Sequence, residues 1–333
     1  MADIVVLDGY TVNPGDNPWT PLAELGHLVV YERSAPSEVT ARAAQADIVL
    51  SNKVLLDAEV IAALPRLRGI SVLATGVNAV DVGAATARGI AVCNVPSYST
   101  ASVAQHAIAL LLELCHRVGL HDESVHDGQW QRSPDFSYWK SPLHELTGQR
   151  LGIVGYGAIG QRVAAAARAL GMEICAARLG HSGPAPAAVS DGPTRLSIGE
   201  LFRTCDVISL HCPLTRETAG LVSRARLALM KPSAFLINTA RGALIDELAL
   251  SAALGTGALA GAALDVLSSE PPSAENPLLY AKNCVITPHI AWTSLPSRQR
   301  LLQVTVDNVR ALLSGAPIHV TNPEYALSSA PIL

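Results

Sequence analysis

The chain has 333 residues, which at about 150 residues per domain points to two domains. Hydrophobic residues make up 49% and charged residues 16%, so a sizeable core can be buried and disorder is excluded as the overall state. Acids outnumber bases 28 to 24 with no basic block, which argues against a nucleic-acid footprint or an anionic-membrane anchor.

Short β-branched apolar runs alternate with Ala- and Leu-rich stretches from the N-terminus onward. In the first hundred residues the runs are Ile4–Gly9, His27–Glu32, Asp47–Asn52, Ile70–Gly76 and Ile90–Val95. Helical patterns lie between them over Ser37–Gln45, with Ser37 as its cap, and over Leu56–Leu64. Apolar strands separated by helices imply a parallel sheet covered on both faces. A helical stretch then runs from about Thr100 to His126. It is followed by DGQWQRSPDFSYWKSP, which fits neither the helical nor the strand period.

A second series begins at Leu151 with LGIVGYGAIG and continues through Glu173–Arg178, Asp206–His211, Ala234–Ala240, Gly261–Val266 and Cys284–His289. The final helical pattern, Ser297–Leu313, leads back to the first unit. The expected fold class is therefore α/β, with two doubly wound, Rossmann-like parallel-sheet domains. Residues 1–99 and 294–333 are expected to form one domain, and 100–293 a domain inserted into it. A cleft between such domains is a preferred place for a cofactor and a small substrate.

Gly155-Tyr156-Gly157-Ala158-Ile159-Gly160 follows an apolar run and opens a helical one, the context that makes this glycine pattern informative. Gly155 permits the tight turn, Gly157 lets the backbone approach a pyrophosphate, and Gly160 lets the helix pack closely on the strand. The N–H groups of Ala158 and Ile159 then join a helix N-terminus that favours phosphate. The reading is a dinucleotide site. At the end of the next strand, where an acid would bind the ribose hydroxyls, stands Arg178. An arginine there pairs with a 2′-phosphate and favours NADP(H) over NAD(H), although one stacked on the adenine would serve either cofactor.

Three further segments end strands with groups that complement one another. NTARG (Asn238–Gly242) brings Arg241, DVLSSEPP (Asp265–Pro272) brings Glu270, and TPHIAW (Thr287–Trp292) brings His289. A histidine moves protons near neutrality, a carboxylate beside it stabilises the charged ring and fixes its tautomer, and an arginine grips a carboxylate with two hydrogen bonds. Singly, each has an ordinary reading as a loop histidine, a solvated turn acid or a surface ion pair. Together, and with the glycine turn, they describe an oxidoreductase site for a small acid.

With these motifs in hand, the chain resembles the D-isomer-specific 2-hydroxyacid dehydrogenase family over nearly its whole length. The matching segments are VLATGVNAVD, CNVPSYSTASVAQH, GIVGYGAIG, NTARG, DVLSSEPP and TPHIAW. VLATGVN and SPDFSYWKSPLHEL look closest to the glycerate dehydrogenase and hydroxypyruvate (glyoxylate) reductase branch. The resemblance implies that Arg241 orients the substrate, that His289 is the acid/base and that Glu270 is its partner. It implies that Gly76, Val77 and Asn78 hold the substrate carboxylate through backbone N–H groups, and that Trp292 walls the pocket. Cys212, Pro213, Thr239, Ala240 and Asp265 would line the cofactor site, Asp265 at the nicotinamide carboxamide. A homodimer is implied, with Trp139 reaching the neighbouring subunit's site. The expected reaction is NAD(P)H-dependent reduction of hydroxypyruvate or glyoxylate to a D-2-hydroxy acid.

Two alternatives remain open at this level. A non-enzymatic dinucleotide-sensing binding module of the same fold can keep the trio, and phosphite-dehydrogenase-like chemistry uses a similar one. A regulatory domain of the kind some phosphoglycerate dehydrogenases append has no place after Leu333. No ligand spacing suggests a metal: His116, His121 and His126 recur every five residues, which spreads them around a helix. No apolar run reaches the roughly 20 residues of a membrane span. The six cysteines are scattered with no C-x-x-C pair, and MADIVVLDGY lacks a basic leader, so the expected compartment is the cytoplasm.

Overall fold

The computed structural model describes residues 1–177 and 192–328. The chain divides into two compact units, Met1–Ser99 with Trp292–Leu333, and Thr100–Ala291.

The first unit is built on five strands, β1 (Asp3–Val6), β2 (His27–Val30), β3 (Ile48–Ser51), β4 (Gly69–Val72) and β5 (Ala91–Cys93). All pair in parallel, in the order β2-β1-β3-β4-β5. Alternate side chains of each strand enter opposite layers, as the two-residue strand period requires. Ile4 and Val6 pack with Ile48, Leu50 and the helix residues Leu301, Val306 and Val309. Val5 and Leu7 pack with Val49, Ile61, Ile70 and Val72 on the other face. The 19-residue helix Leu295–Leu313 comes so close to β4 that a Cβ on Gly69 would sit 2.7 Å from Leu312 Cδ2.

The second unit holds seven strands, β6 (Arg150–Val154), β7 (Glu173–Ala177), β8 (Thr194–Leu196), β9 (Val207–Leu210), β10 (Phe235–Asn238), β11 (Gly261–Leu264) and β12 (Cys284–Ile286). They too are all parallel, in the order β12-β11-β10-β9-β6-β7-β8. From β6 the chain runs outward through β7 and β8, then returns to place β9 on the other side of β6. That reversal between β6 and β9 is the switch point at which doubly wound sheets bind ligands. The expected α/β class with two Rossmann-like sheets is thus observed.

Local details differ where tertiary context decides. The stretch expected as one helix from Thr100 to His126 is two, Thr100–His116 and Val118–His126, broken at Arg117 with φ 48°. Ser37 is not a cap. Pro36 starts a short 3-10 turn, Ala35 N donates to Glu38 Oε2 at 2.8 Å, and the α-helix begins only at Val39. The next helix is Ala58–Ala62, capped by Asp57, whose Oδ1 accepts from Val60 N.

Candidate active site

The glycine turn sits at the carboxyl end of β6. Gly155 has φ +97°, and a Cβ there would lie 2.5 Å from Cys212 N, so the turn packs on the backbone that leaves β9. A Cβ on Gly160 would meet Gly155 O at 2.4 Å, which fixes how closely the helix Ala158–Ala169 approaches the turn. Gly157 differs from both: among the described residues nothing lies within 4 Å of its would-be Cβ. It is the helix's N-terminal flanking residue, and no side chain caps that end. The first-turn N–H groups, including those of Ala158 and Ile159, are therefore available to a phosphate.

Strands β10, β11 and β12 end in register, Asn238 opposite Leu264 and Leu264 opposite Ile286. The three loops that follow them carry Arg241, Glu270 and His289. In the first loop Asn238, fully buried, accepts from Ala240 N at 3.0 Å and donates from Nδ2 to Arg241 O at 2.8 Å. Arg241 itself donates to Ala240 O. The next residue, Gly242, allows the first loop to lie against the second: a Cβ there would fall 1.9 Å from Leu267 C.

In the second loop, Glu270 Oε1 accepts from Leu267 N at 3.1 Å, which leaves Oε2 2.7 Å from His289 Nδ1. Histidine and carboxylate are thus paired, with Nδ1–H donating to Glu270. His289 has φ 55°, and its N donates to Asp265 O at 2.8 Å. Asp265 is 1% exposed, and its carboxylate turns onto the third loop. Oδ1 accepts from Thr287 Oγ1 at 2.6 Å and Ile290 N at 2.8 Å, and Oδ2 accepts from Ala291 N at 2.9 Å. Burial alone would raise the Asp265 carboxyl, but the hydrogen bonds from His106, Thr287, Ala291 N and Ile290 N hold it below its ordinary value.

A dinucleotide fits this end of the unit. The Thr239 hydroxyl is buried at the end of β10 and has no hydrogen-bond partner among the described residues, an arrangement a bound polar group would relieve. Cys212 is buried at the turn after β9, and Pro213 beside it is exposed, its carbonyl accepting from Thr218 Oγ1 at 2.7 Å. Arg178 lies outside the described residues.

The other expected residues are placed as follows. Gly76, Val77 and Asn78 form the turn after β4, where Val80 N donates to Val77 O at 3.0 Å. Trp292 meets the Tyr98 ring edge-on at 6.2 Å. Trp139 is 70% exposed in the irregular segment after the helix Val118–His126. There His121 takes an N–H from Lys140 at Nε2 and meets Arg117 O through Nδ1. Among the described residues no His, Cys, Asp or Glu group of three could hold a metal, and no helix is long and apolar enough to cross a membrane.

Residues 108–291 match the model of the D-isomer-specific 2-hydroxyacid dehydrogenase NAD-binding domain. The chain belongs to that family. It is a D-2-hydroxyacid dehydrogenase, and its cofactor is a nicotinamide dinucleotide. It is 47% identical to a hydroxypyruvate reductase of Blautia hydrogenotrophica, over 96% of this chain and 99% of that one. It is 40% identical to a glycerate dehydrogenase of Methylorubrum extorquens, over 87% and 90% of the two chains. Among solved structures it resembles an NADPH-dependent glyoxylate/hydroxypyruvate reductase from Sinorhizobium meliloti, bound to NADP and malonate. That likeness has a TM-score of 0.83 at 30% identity and covers 99% of each chain. The dehydrogenase therefore sits with the glycerate dehydrogenase and hydroxypyruvate reductase branch.

Sequence reasoning passed over four residues of this site. Asn238 had a local signal, an Asx turn at a strand end, whereas Ser102, which donates to Ala291 O, His106 and Thr287 have partners far away in the chain.

Proposed function

We propose that the dehydrogenase reduces small 2-oxo acids, hydroxypyruvate and glyoxylate foremost, to D-2-hydroxy acids, with NADPH preferred to NADH. The observation that carries this reading is the 2.7 Å pairing of His289 Nδ1 with Glu270 Oε2 beside the strand ends that present Arg241 and Thr239. When bound, the reduced nicotinamide supplies the hydride that C2 of the 2-oxo acid accepts. His289 gives a proton from Nε2 to the oxygen that becomes the hydroxyl, and Glu270 balances the charge of the imidazolium that does so. Arg241 holds the substrate carboxylate and polarises its carbonyl, so that the reacting atoms are presented in one orientation. Gly76, Val77 and Asn78 add backbone N–H groups to that carboxylate, and Trp292 limits the size of the group on C2.

Gly155, Gly157, Ala158, Ile159 and Gly160 would hold the pyrophosphate, and Cys212, Pro213, Thr239, Ala240 and Asp265 the nicotinamide half. The NADPH preference is supported by Arg178, whose guanidinium suits a 2′-phosphate. The functional form is proposed to be a homodimer, supported by the exposed Trp130, Phe136 and Trp139 of the second unit, with Trp139 contributing to the neighbouring site. Loss of near-ultraviolet absorbance of NADPH or NADH with each 2-oxo acid, run beside His289→Ala, tests the reading. Turnover that is faster with NADPH and at least about a hundredfold slower in the variant supports it. Faster NADH oxidation overturns the cofactor preference, and no turnover across a panel of 2-oxo acids overturns the reaction.

A further inference from the structure

Ser102 and His106 stand four residues apart on the helix Thr100–His116, and so on one face of it. Both reach the loop that carries His289. Ser102 Oγ donates to Ala291 O at 2.6 Å, and His106 Nε2 lies 3.0 Å from Thr287 Oγ1. The two contacts bracket His289, one two residues before it and the other two residues after. Between them His289 adopts a left-handed backbone, φ 55°, which a non-glycine residue keeps only where its surroundings hold it.

The direction of the bonds is fixed by chemistry. Asp265 Oδ1 only accepts, so Thr287 Oγ1 spends its single proton on it at 2.6 Å. The remaining capacity of that hydroxyl is to accept, and His106 must therefore carry its proton on Nε2. The same N–H points towards Asp265 Oδ1, 3.5 Å away. A continuous path runs from His106 through Thr287 and Asp265 to Ile290 N and Ala291 N, the backbone just after the acid–base histidine.

We propose that Ser102 and His106 are positioning residues that clamp the His289 loop at its two ends, with His106 acting as an Nε2–H donor. This rests on the reading of His289 as the acid–base group. Neither residue reaches substrate in this role; each sets the aim of an imidazole that does. Two loose anchors would let that ring drift by a fraction of its reach, and misplacement by about 1 Å can cost on the order of a hundredfold in rate.

The test compares Ser102→Ala, His106→Ala and His106→Gln with wild type and His289→Ala, using 2-oxo acid reduction over a range of pH. Ser102→Ala and His106→Ala are expected to lower kcat about 10- to 100-fold while the KM for the dinucleotide stays within about twofold. His106→Gln, whose amide N–H falls near the position of Nε2, is expected to recover most of the loss. The pH profile of kcat should change in His106→Ala, because the contact between His289 Nδ1 and Glu270 Oε2 is no longer held in place. Wild-type kcat in both alanine variants, with His289→Ala inactive, overturns the clamp. A fall in kcat accompanied by lower thermal stability, an unchanged pH profile and no recovery in the glutamine variant also overturns it. A His289→Ala variant with near wild-type kcat overturns instead the acid–base reading on which the clamp rests.

Discussion

Glu270 gives one carboxylate oxygen to Leu267 N at 3.1 Å and sets the other 2.7 Å from His289 Nδ1. The carboxylate is thus aimed by its own loop before it aims the ring. Positioned acid–base groups contribute about 10²–10⁴-fold, so His289→Ala is expected to lose that much kcat. Glu270→Gln keeps an acceptor for Nδ1–H but removes the charge, and is expected to lose about 10- to 100-fold. The double variant should lose little more than His289→Ala, because the two groups act as one unit. Steady-state reduction with saturating dinucleotide measures all three, and an additive double variant would separate the roles.

Asn238 ties Arg241 to the strand end from which it projects. Replacing it with Ala leaves Arg241 O and Ala240 N without their partner in a half-buried turn, at a cost of about 1–3 kcal/mol. Asn238→Asp keeps the shape and the bond from Ala240 N, but it loses the donor to Arg241 O and places a charge in the core. Both variants are expected to raise the KM for the 2-oxo acid more than that for the dinucleotide. Urea midpoints and the two KM values together check this.

The parts legible in sequence are those whose signal is local. The glycine turn was readable because each of its glycines answers a separate steric demand at a fixed spacing, and the turn sits where an apolar strand meets a helix. Arg241, Glu270 and His289 were readable because strand ends can be counted, and parallel strands in register bring their ends to one level. The break at Arg117 was not, since neither glycine nor proline stands at the left-handed residue. His106 stands with Gln105 and Glu113 as polar positions in the mostly apolar run Ala101–Cys115. Its partner Thr287 is 181 residues away, and no periodicity reports such a pair.

Gly155 and Gly157 separate packing from ligand binding. A methyl group on Gly155 collides with backbone at 2.5 Å and sits at positive φ, so Gly155→Ala is expected to cost about 3 kcal/mol or to prevent folding. A methyl group on Gly157 meets no atom of the described residues within 4 Å. Gly157→Ala should keep stability within about 0.5 kcal/mol of wild type and still weaken dinucleotide binding by about tenfold or more, because it fills the approach to the phosphates. Thermal unfolding together with a fluorescence titration of NADPH distinguishes the two. Unchanged affinity in Gly157→Ala would remove this turn from the cofactor site.

Asp265 makes the His289 loop sensitive to acid. Its carboxyl lies below the ordinary value in the folded protein, because the hydrogen bonds it accepts outweigh the opposing effect of burial. A carboxyl lowered on folding contributes stability that is full above its unfolded value of about 3.9 and is lost as pH falls through the folded value. Wild type should therefore lose stability as it is acidified below about pH 4. Asp265→Asn carries no such charge, and its amide N–H₂ would oppose one of the donors now facing Oδ1 or Oδ2. It is expected to be less stable than wild type at neutral pH, with the difference narrowing as pH falls. Urea midpoints for both proteins from neutral to acid pH give the answer: a difference that stays constant would mean that the Asp265 charge contributes nothing to holding the loop.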